Sequence, residues 1–253
     1  MSSTKVRTTY LRDFKFLTKR SRLYALTVLA SYVAQIVMAI AVGYVLLDQG
    51  TGPAFFGVVL LVLFIGTRFR GINNIVHECS HSAFTADRHD NEVLGKVASS
   101  LIMTSFTSYK AEHMTHHAHL GDYERDLDFK NIQEYQLERA LTTGMILRHI
   151  VTPIVGLHLP KYLGADLSIR DGFSYGLLKV GLIAGAIAFT MVAPIASLIL
   201  LLVPFLWVYP AINYWTDCID HGGILDADDE IEDGGIDDRR PHHRHGDGHG
   251  SGL

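Results

Sequence analysis

Cysteine is nearly absent. The chain of 253 residues contains two, Cys79 and Cys218. A disulfide framework is excluded, and both thiols fall in stretches read below as cytosolic, where no bridge is expected. A dominant charge sign is missing as well: 22 Lys and Arg oppose 26 Asp and Glu, a net charge of −4. No nucleic-acid surface follows from such a balance. No long-period repeat is visible, and no G-x-G-x-x-G segment follows a strand. The most informative absences are local. No charged residue occurs in the 25 positions Leu23–Leu47 or in the 37 positions Val180–Thr216.

A bilayer core of about 30 Å needs about 20 helical residues, so the first run spans once and the second spans twice. A turn-forming segment, Asp48-Gln49-Gly50-Thr51-Gly52-Pro53, closes the first run. A shorter apolar run, Ala54–Thr67, then stops at Arg68 and Arg70. The long run divides at Ala193-Pro194, because proline interrupts a helix. Expected spans are about 23–47, 51–70, 175–193 and 195–215. Gly181 and Gly185 form a small-xxx-small pair that predicts helix packing. Residues 1–22 carry Lys5, Arg7, Arg12, Lys15, Lys19, Arg20 and Arg22 against Asp13 alone, and such a flank stays in the cytosol. A cleaved signal peptide has an apolar core of about 7–15 residues; this run is longer and is expected to remain as an anchor.

The expected fold is therefore an all-α integral membrane protein with four transmembrane helices in two hairpins. A cytosolic helical cap, residues 71–174, lies between the hairpins, and both termini share its side. Two moderately apolar pieces, Val93–Phe106 and Leu141–Leu159, are expected along or partly within the membrane surface. Residues 1–225 form the membrane domain. Residues 226–253 are an acidic, His- and Gly-rich tail with almost nothing apolar, and such a composition predicts disorder.

Ten of the 14 histidines lie between positions 77 and 221. His77-Glu78-Cys79-Ser80-His81 places two imidazoles at i and i+4, on one helical face. His113-Met114-Thr115-His116-His117 repeats that convergence at i, i+3 and i+4. Neutral imidazole is the commonest metal ligand, and imidazole alone suits Zn, Cu, Fe and Ni. One zinc takes three or four ligands. Five here, before the late His221 is counted, point to two ions. Asp122, Glu124, Asp126 and Asp128 follow the second cluster and can accept hydrogen bonds from ligand N–H groups; a solvated polar face is the other reading of these acids. The isolated His89, His149 and His158 read as ordinary core or surface residues. His77-Glu78-x-x-His81 also fits the H-E-x-x-H pattern of zinc proteases, with Glu78 as general base. That reading leaves His113, His116 and His117 unexplained, and the extended form fails at Phe84 and Asp87.

Asn73-Asn74-Ile75-Val76-His77-Glu78-Cys79-Ser80-His81 and His113-x-x-His116-His117-Ala118-His119-Leu120-Gly121-Asp122 resemble the first two histidine boxes of the membrane fatty acid desaturase and hydroxylase superfamily. The stretch Asn213–Gly223 resembles that family's segment after its fourth span, where a further ligand sits. The resemblance implies two non-haem iron ions, dioxygen as co-substrate, and a fatty acyl or similar lipid substrate. It also implies an external ferredoxin- or cytochrome-type electron donor. The matching ligands are His77, His81, His113, His116, His117 and His221. The same boxes occur in hydroxylases and carotenoid ketolases. A third box of H-x-x-H-H type is implied as well, yet this chain has Pro241-His242-His243-Arg244-His245-Gly246-Asp247-Gly248-His249, where Gly246 and Gly248 disfavour a helix. From about residue 233 that Arg, Gly, Pro, His and Asp mixture is what a shifted reading frame produces, and at most one tightly held ion per chain with little or no desaturation is then expected. The alternatives carried forward are a truncated, non-catalytic relative and the zinc protease.

Overall fold

The computed structural model describes residues 20–119 and 124–222, and the regular structure among them is helical throughout. α1 (Arg22–Gln49) starts at Ser21, whose hydroxyl accepts the Tyr24 N–H at 3.2 Å, and ends at Gly50 with φ +61°. Glycine enters that left-handed cap without a Cβ clash. α2 (Gly52–Ser80) begins two residues later under a Thr51 cap, with proline in its first turn. The turn formers thus make a tight hairpin, and α1 packs along α2.

α2 has 29 residues, about 43 Å of helix at 1.5 Å per residue, well beyond the hydrocarbon thickness. The expected span of about 51–70 lies within this longer helix. The helix runs ten residues further because its neighbours accommodate both arginines. Arg68 donates to Gln35 at 3.1 Å and lies over the Tyr32 and Phe64 rings. Arg70 donates to Thr216 at 3.3 Å and to Asn74.

The cap follows. α3 (Arg88–Leu101) packs against α2, with Asp87 accepting the Asp90 N–H at its start. α4 (Phe106–His119), the short α5 (Leu127–Ile132) and α6 (Thr143–Ile154) come next. α6 turns His149 and Thr152 inward and leaves Ile146, Leu147, Ile150 and Ile154 exposed. Twelve residues cannot cross a bilayer, and the outward apolar face suits the membrane surface. A single turn, α7 (Leu159–Tyr162), precedes the second hairpin.

α8 (Phe173–Val192) and α9 (Pro194–His221) complete four helices long and apolar enough to cross a membrane. The chain is an integral membrane protein. α9 winds as π-helix over Leu198–Leu202 and Pro204–Val208. Pro204 contributes no N–H to the regular ladder, and wide turns re-register it. The expected span of about 195–215 lies within the fourth helix, which runs to His221. The largest apolar core joins α1, α2, α3 and the start of α4, through Ala25, Leu29, Ile65, Val76, Ala98 and Phe106. Gly66 makes the close approach of α2 to α9, since a Cβ there would collide with Val208. Gly181 and Gly185 have no neighbour within 4 Å, so the packing expected from that pair is absent among the described residues.

Candidate metal centre

The histidines arrive at one place on the ends of long helices. His77 sits in the last turn of α2, and His81 is its C-cap residue. His113, His116 and His117 lie on the second half of α4, and His221 ends α9. Overlong α2 and α9 thus carry their imidazoles out of the membrane to meet α4.

One ligand nitrogen from each of His77, His81, His113 and His117 lies within 4.8 Å of every other. His113 Nε2 is 2.9 Å from His81 Nε2 and 3.0 Å from His117 Nε2. A ring nitrogen offers one proton or one lone pair, so hydrogen bonding cannot satisfy both contacts of His113 Nε2 when all three rings are neutral. Two nitrogens at about 2.1 Å from a shared ion, at right angles, lie about 3.0 Å apart. The donor set and spacing fit a metal.

His116 points elsewhere. Along a helix of about 100° per residue, i+4 falls about 40° to one side of i and i+3 about 60° to the other. His117 therefore joins His113, while His116 turns toward α9, with its ring centroid 5.2 Å from that of His221. The six expected residues form a set of four and a neighbouring pair. His242, His243, His245 and His249 lie outside the described residues.

Carboxylates hold two of the rings from behind. His116 Nδ1 is 2.7 Å from Asp126 Oδ2, and that carboxylate is fully buried. His77 Nδ1 faces Glu78 at 3.3 Å, while Asp128 stays 3.8 Å from His113 Nδ1, beyond hydrogen-bond distance. The two hydrogen bonds leave Nε2 of His116 and His77 as the outward ligand. The hydrogen bond expected of the acids after the second cluster is made by Asp126 and not by Asp128; Asp122 lies outside the described residues. Burial first, then the neighbouring imidazoles, holds His81 and His117 below the usual histidine range. Both shifts favour the neutral imidazole, the form that binds a cation.

Two aromatic supports were not anticipated. Tyr109 stacks on His113 with ring centroids 5.5 Å apart, and its i−4 position on α4 was the available signal. Tyr162 donates to Asp217, one turn before His221, at 2.6 Å; no sequence spacing links those two. The isolated histidines are unrelated to the cluster. His89 is exposed, His149 contacts the Tyr214 hydroxyl at 2.7 Å, and His158 is buried among Tyr162, Trp207 and Tyr214.

Fold and site together define an integral membrane protein with four helices long enough to span and a histidine cluster, at metal-ligand spacing, where α2, α4 and α9 end. The family model for fatty acid desaturases matches residues 51–251, and the chain belongs to that family. The match runs through the tail. Dihydrorhizobitoxine desaturase of Bradyrhizobium elkanii is 24% identical over 67% of this chain and 53% of its own length. Oleoyl-12-hydroxylase of Ricinus communis is 30% identical over 43% of this chain and 29% of its own. The sn-2 acyl-lipid omega-3 desaturase (ferredoxin) of Arabidopsis thaliana is 28% identical over 44% and 24%, respectively. The chain spans about a quarter to a half of the length of these curated relatives. No solved structure matches.

Proposed function

We propose that the protein is an oxygen-dependent lipid desaturase that works at a histidine-held pair of non-haem irons. The observation that carries this is the convergence of four ligand nitrogens within 4.8 Å from two separate helices. His77, His81, His113 and His117 hold one iron, and His116 and His221 belong to the other. When bound, the irons supply activation of dioxygen and removal of hydrogen from an unactivated C–H bond. Asp126 keeps the proton of His116 on Nδ1, and the Asp128 carboxylate adds negative charge near His113. Tyr109 fixes the ring plane of His113. The four spans deliver the centre to the edge of the bilayer, within reach of an acyl chain.

The basic N-terminal flank supports a cytosolic position for the N-terminus, the cap and the tail. Electrons then come from a soluble donor on that side, of the ferredoxin type named for the Arabidopsis relative or a cytochrome. The convergence of His113 and His117 on His77 and His81 favours this reading over a zinc protease, which needs no such second pair.

The test uses the full chain purified in detergent. Metal analysis should find iron, and ferredoxin, its reductase and dioxygen should convert an acyl lipid to a product lighter by two hydrogens. Oxygen consumed with an added hydroxyl would favour the hydroxylase outcome. Iron bound without turnover would favour a non-catalytic relative. Zinc with peptide cleavage would overturn the proposal.

A further inference from the structure

The second histidine helix is anchored at its far end by a residue outside the histidine motifs. Asp171 lies in the loop before α8, is 5% exposed, and reaches 64 residues back along the sequence to α4. Its Oδ2 accepts the Phe106 N–H at 2.8 Å. Its Oδ1 accepts the Thr107 N–H at 2.9 Å and the Thr107 hydroxyl at 2.7 Å. Ser105 completes the start: its hydroxyl accepts the Ser108 N–H and its carbonyl the Tyr109 N–H. Three of the amides a helix leaves open at its N-terminus, those of Phe106, Thr107 and Ser108, are engaged, two of them by one carboxylate. A negative charge there also opposes the helix dipole favourably.

The same loop grips the turn that feeds α4. The Asp166 N–H donates to the Met103 carbonyl at 2.8 Å, and Met103 has φ +58°, a conformation that a side-chain-bearing residue holds only when its surroundings enforce it. Lys179 of α8, 1% exposed, donates to the Asp166 carbonyl at 2.6 Å. Arg170 donates to the Ser108 hydroxyl at 3.1 Å. The cap of α8 and the start of α4 are thereby one unit.

We propose that Asp171 is a positioning residue for the metal centre, setting the tilt and rotation of α4 so that His113 and His117 meet His77 and His81. The inference rests on the reading that those four histidines hold a metal. His113 lies seven residues beyond Phe106, about 10 Å along the axis and nearly on the same face. A tilt of about 10° at the start of α4 would displace the His113 ring by about 1.8 Å, against a ligand-distance tolerance of about 0.2 Å.

The test is titration of the metal-free full chain in detergent with cobalt(II), following its ligand-field absorption. Asp171→Asn should bind cobalt about 10–100-fold more weakly than wild type, with an altered spectrum. Thr107→Val, which removes one of the three bonds, should lose less. Ser197→Ala, which removes the Thr190 contact far from the centre, should lower thermal stability and leave cobalt affinity unchanged. If Asp171→Asn does not fold, Thr107→Val decides, and wild-type affinity and spectrum in that variant overturn the proposal. It is also overturned if Asp171→Asn matches wild type, or if Ser197→Ala weakens cobalt as much. His113→Ala separates the two readings. Wild-type binding in that variant removes the metal assignment and this proposal with it, whereas lost binding there beside normal binding in Asp171→Asn removes the positioning role alone.

Discussion

Asp126→Ala should loosen one of the two ions and spare the other. The Asp126 carboxylate is fully buried and sits 2.7 Å from His116 Nδ1, whose side chain is itself 11% exposed. Two effects add. A buried N–H deprived of that acceptor costs about 1–3 kcal/mol, and loss of a carboxylate behind a ligand histidine weakens metal binding about 10–100-fold. Asp126→Asn keeps the shape and an acceptor oxygen but loses the charge, so it should fall near the mild end, about tenfold. Neither change touches His77, His81, His113 or His117, which form the separate four-nitrogen set. Iron titration monitored by Mössbauer spectroscopy resolves the two environments. The expected pattern is a nearly intact signal from the four-histidine ion and a depleted signal from the one near His116 and His221. Equal loss of both signals, or full retention of both, would refute the division of the histidines into four and two.

Gly66→Ala should lower the melting temperature in detergent, because its Cβ would meet Val208 and overpacking costs about 1–3 kcal/mol. Gly181→Ala, with open space around it, should be neutral or mildly stabilising; the reverse order would contradict the packing of α2 on α9. His81 and His117 are held below the usual histidine range by burial and then by neighbouring imidazoles. The folded state therefore binds fewer protons than the unfolded chain below about pH 6.5. Metal-free protein should be at full stability above that value and lose stability as pH falls through the lowered folded values; a melting temperature that rose on acidification would contradict the sign. Glu78→Gln should leave most of the iron in place, since Glu78 is half-exposed beside His77, and loss of a peptidase activity in that variant would instead revive the protease reading.

Much of this arrangement is legible in the sequence, and the failures share a physical cause. Charge-free runs locate three of the four spans, because a buried charge in lipid has no local remedy. At Arg68 and Arg70 a remedy exists, in Gln35, Tyr32, Phe64, Thr216 and Asn74. A charge therefore ends the apolar run but not the helix. α9 likewise continues to His221 beyond its charge-free run, since helical continuity there depends on tertiary contacts. Gly181 and Gly185 have the spacing of a packing motif and pack against nothing described; spacing supplies an opportunity, and a partner must take it. The i, i+3, i+4 pattern announced convergence of His113, His116 and His117. Their division between two sites required knowing which helices flank α4. Asp171 left no sequence signal at all, because a cap supplied from 64 residues away has no local pattern.

As proposed, four histidines from α2 and α4 hold one iron tightly while His116 and His221 serve a second, weaker position. That assignment is tested most directly by anaerobic iron titration of wild type, His113→Ala and His221→Ala, counting ions retained per chain after desalting. Wild type and His221→Ala should each keep the tight ion and His113→Ala should lose it, with the weaker ion missing from His221→Ala alone among chains that retain the first. Full retention of the tight ion in His113→Ala, or its loss in His221→Ala, would contradict the account.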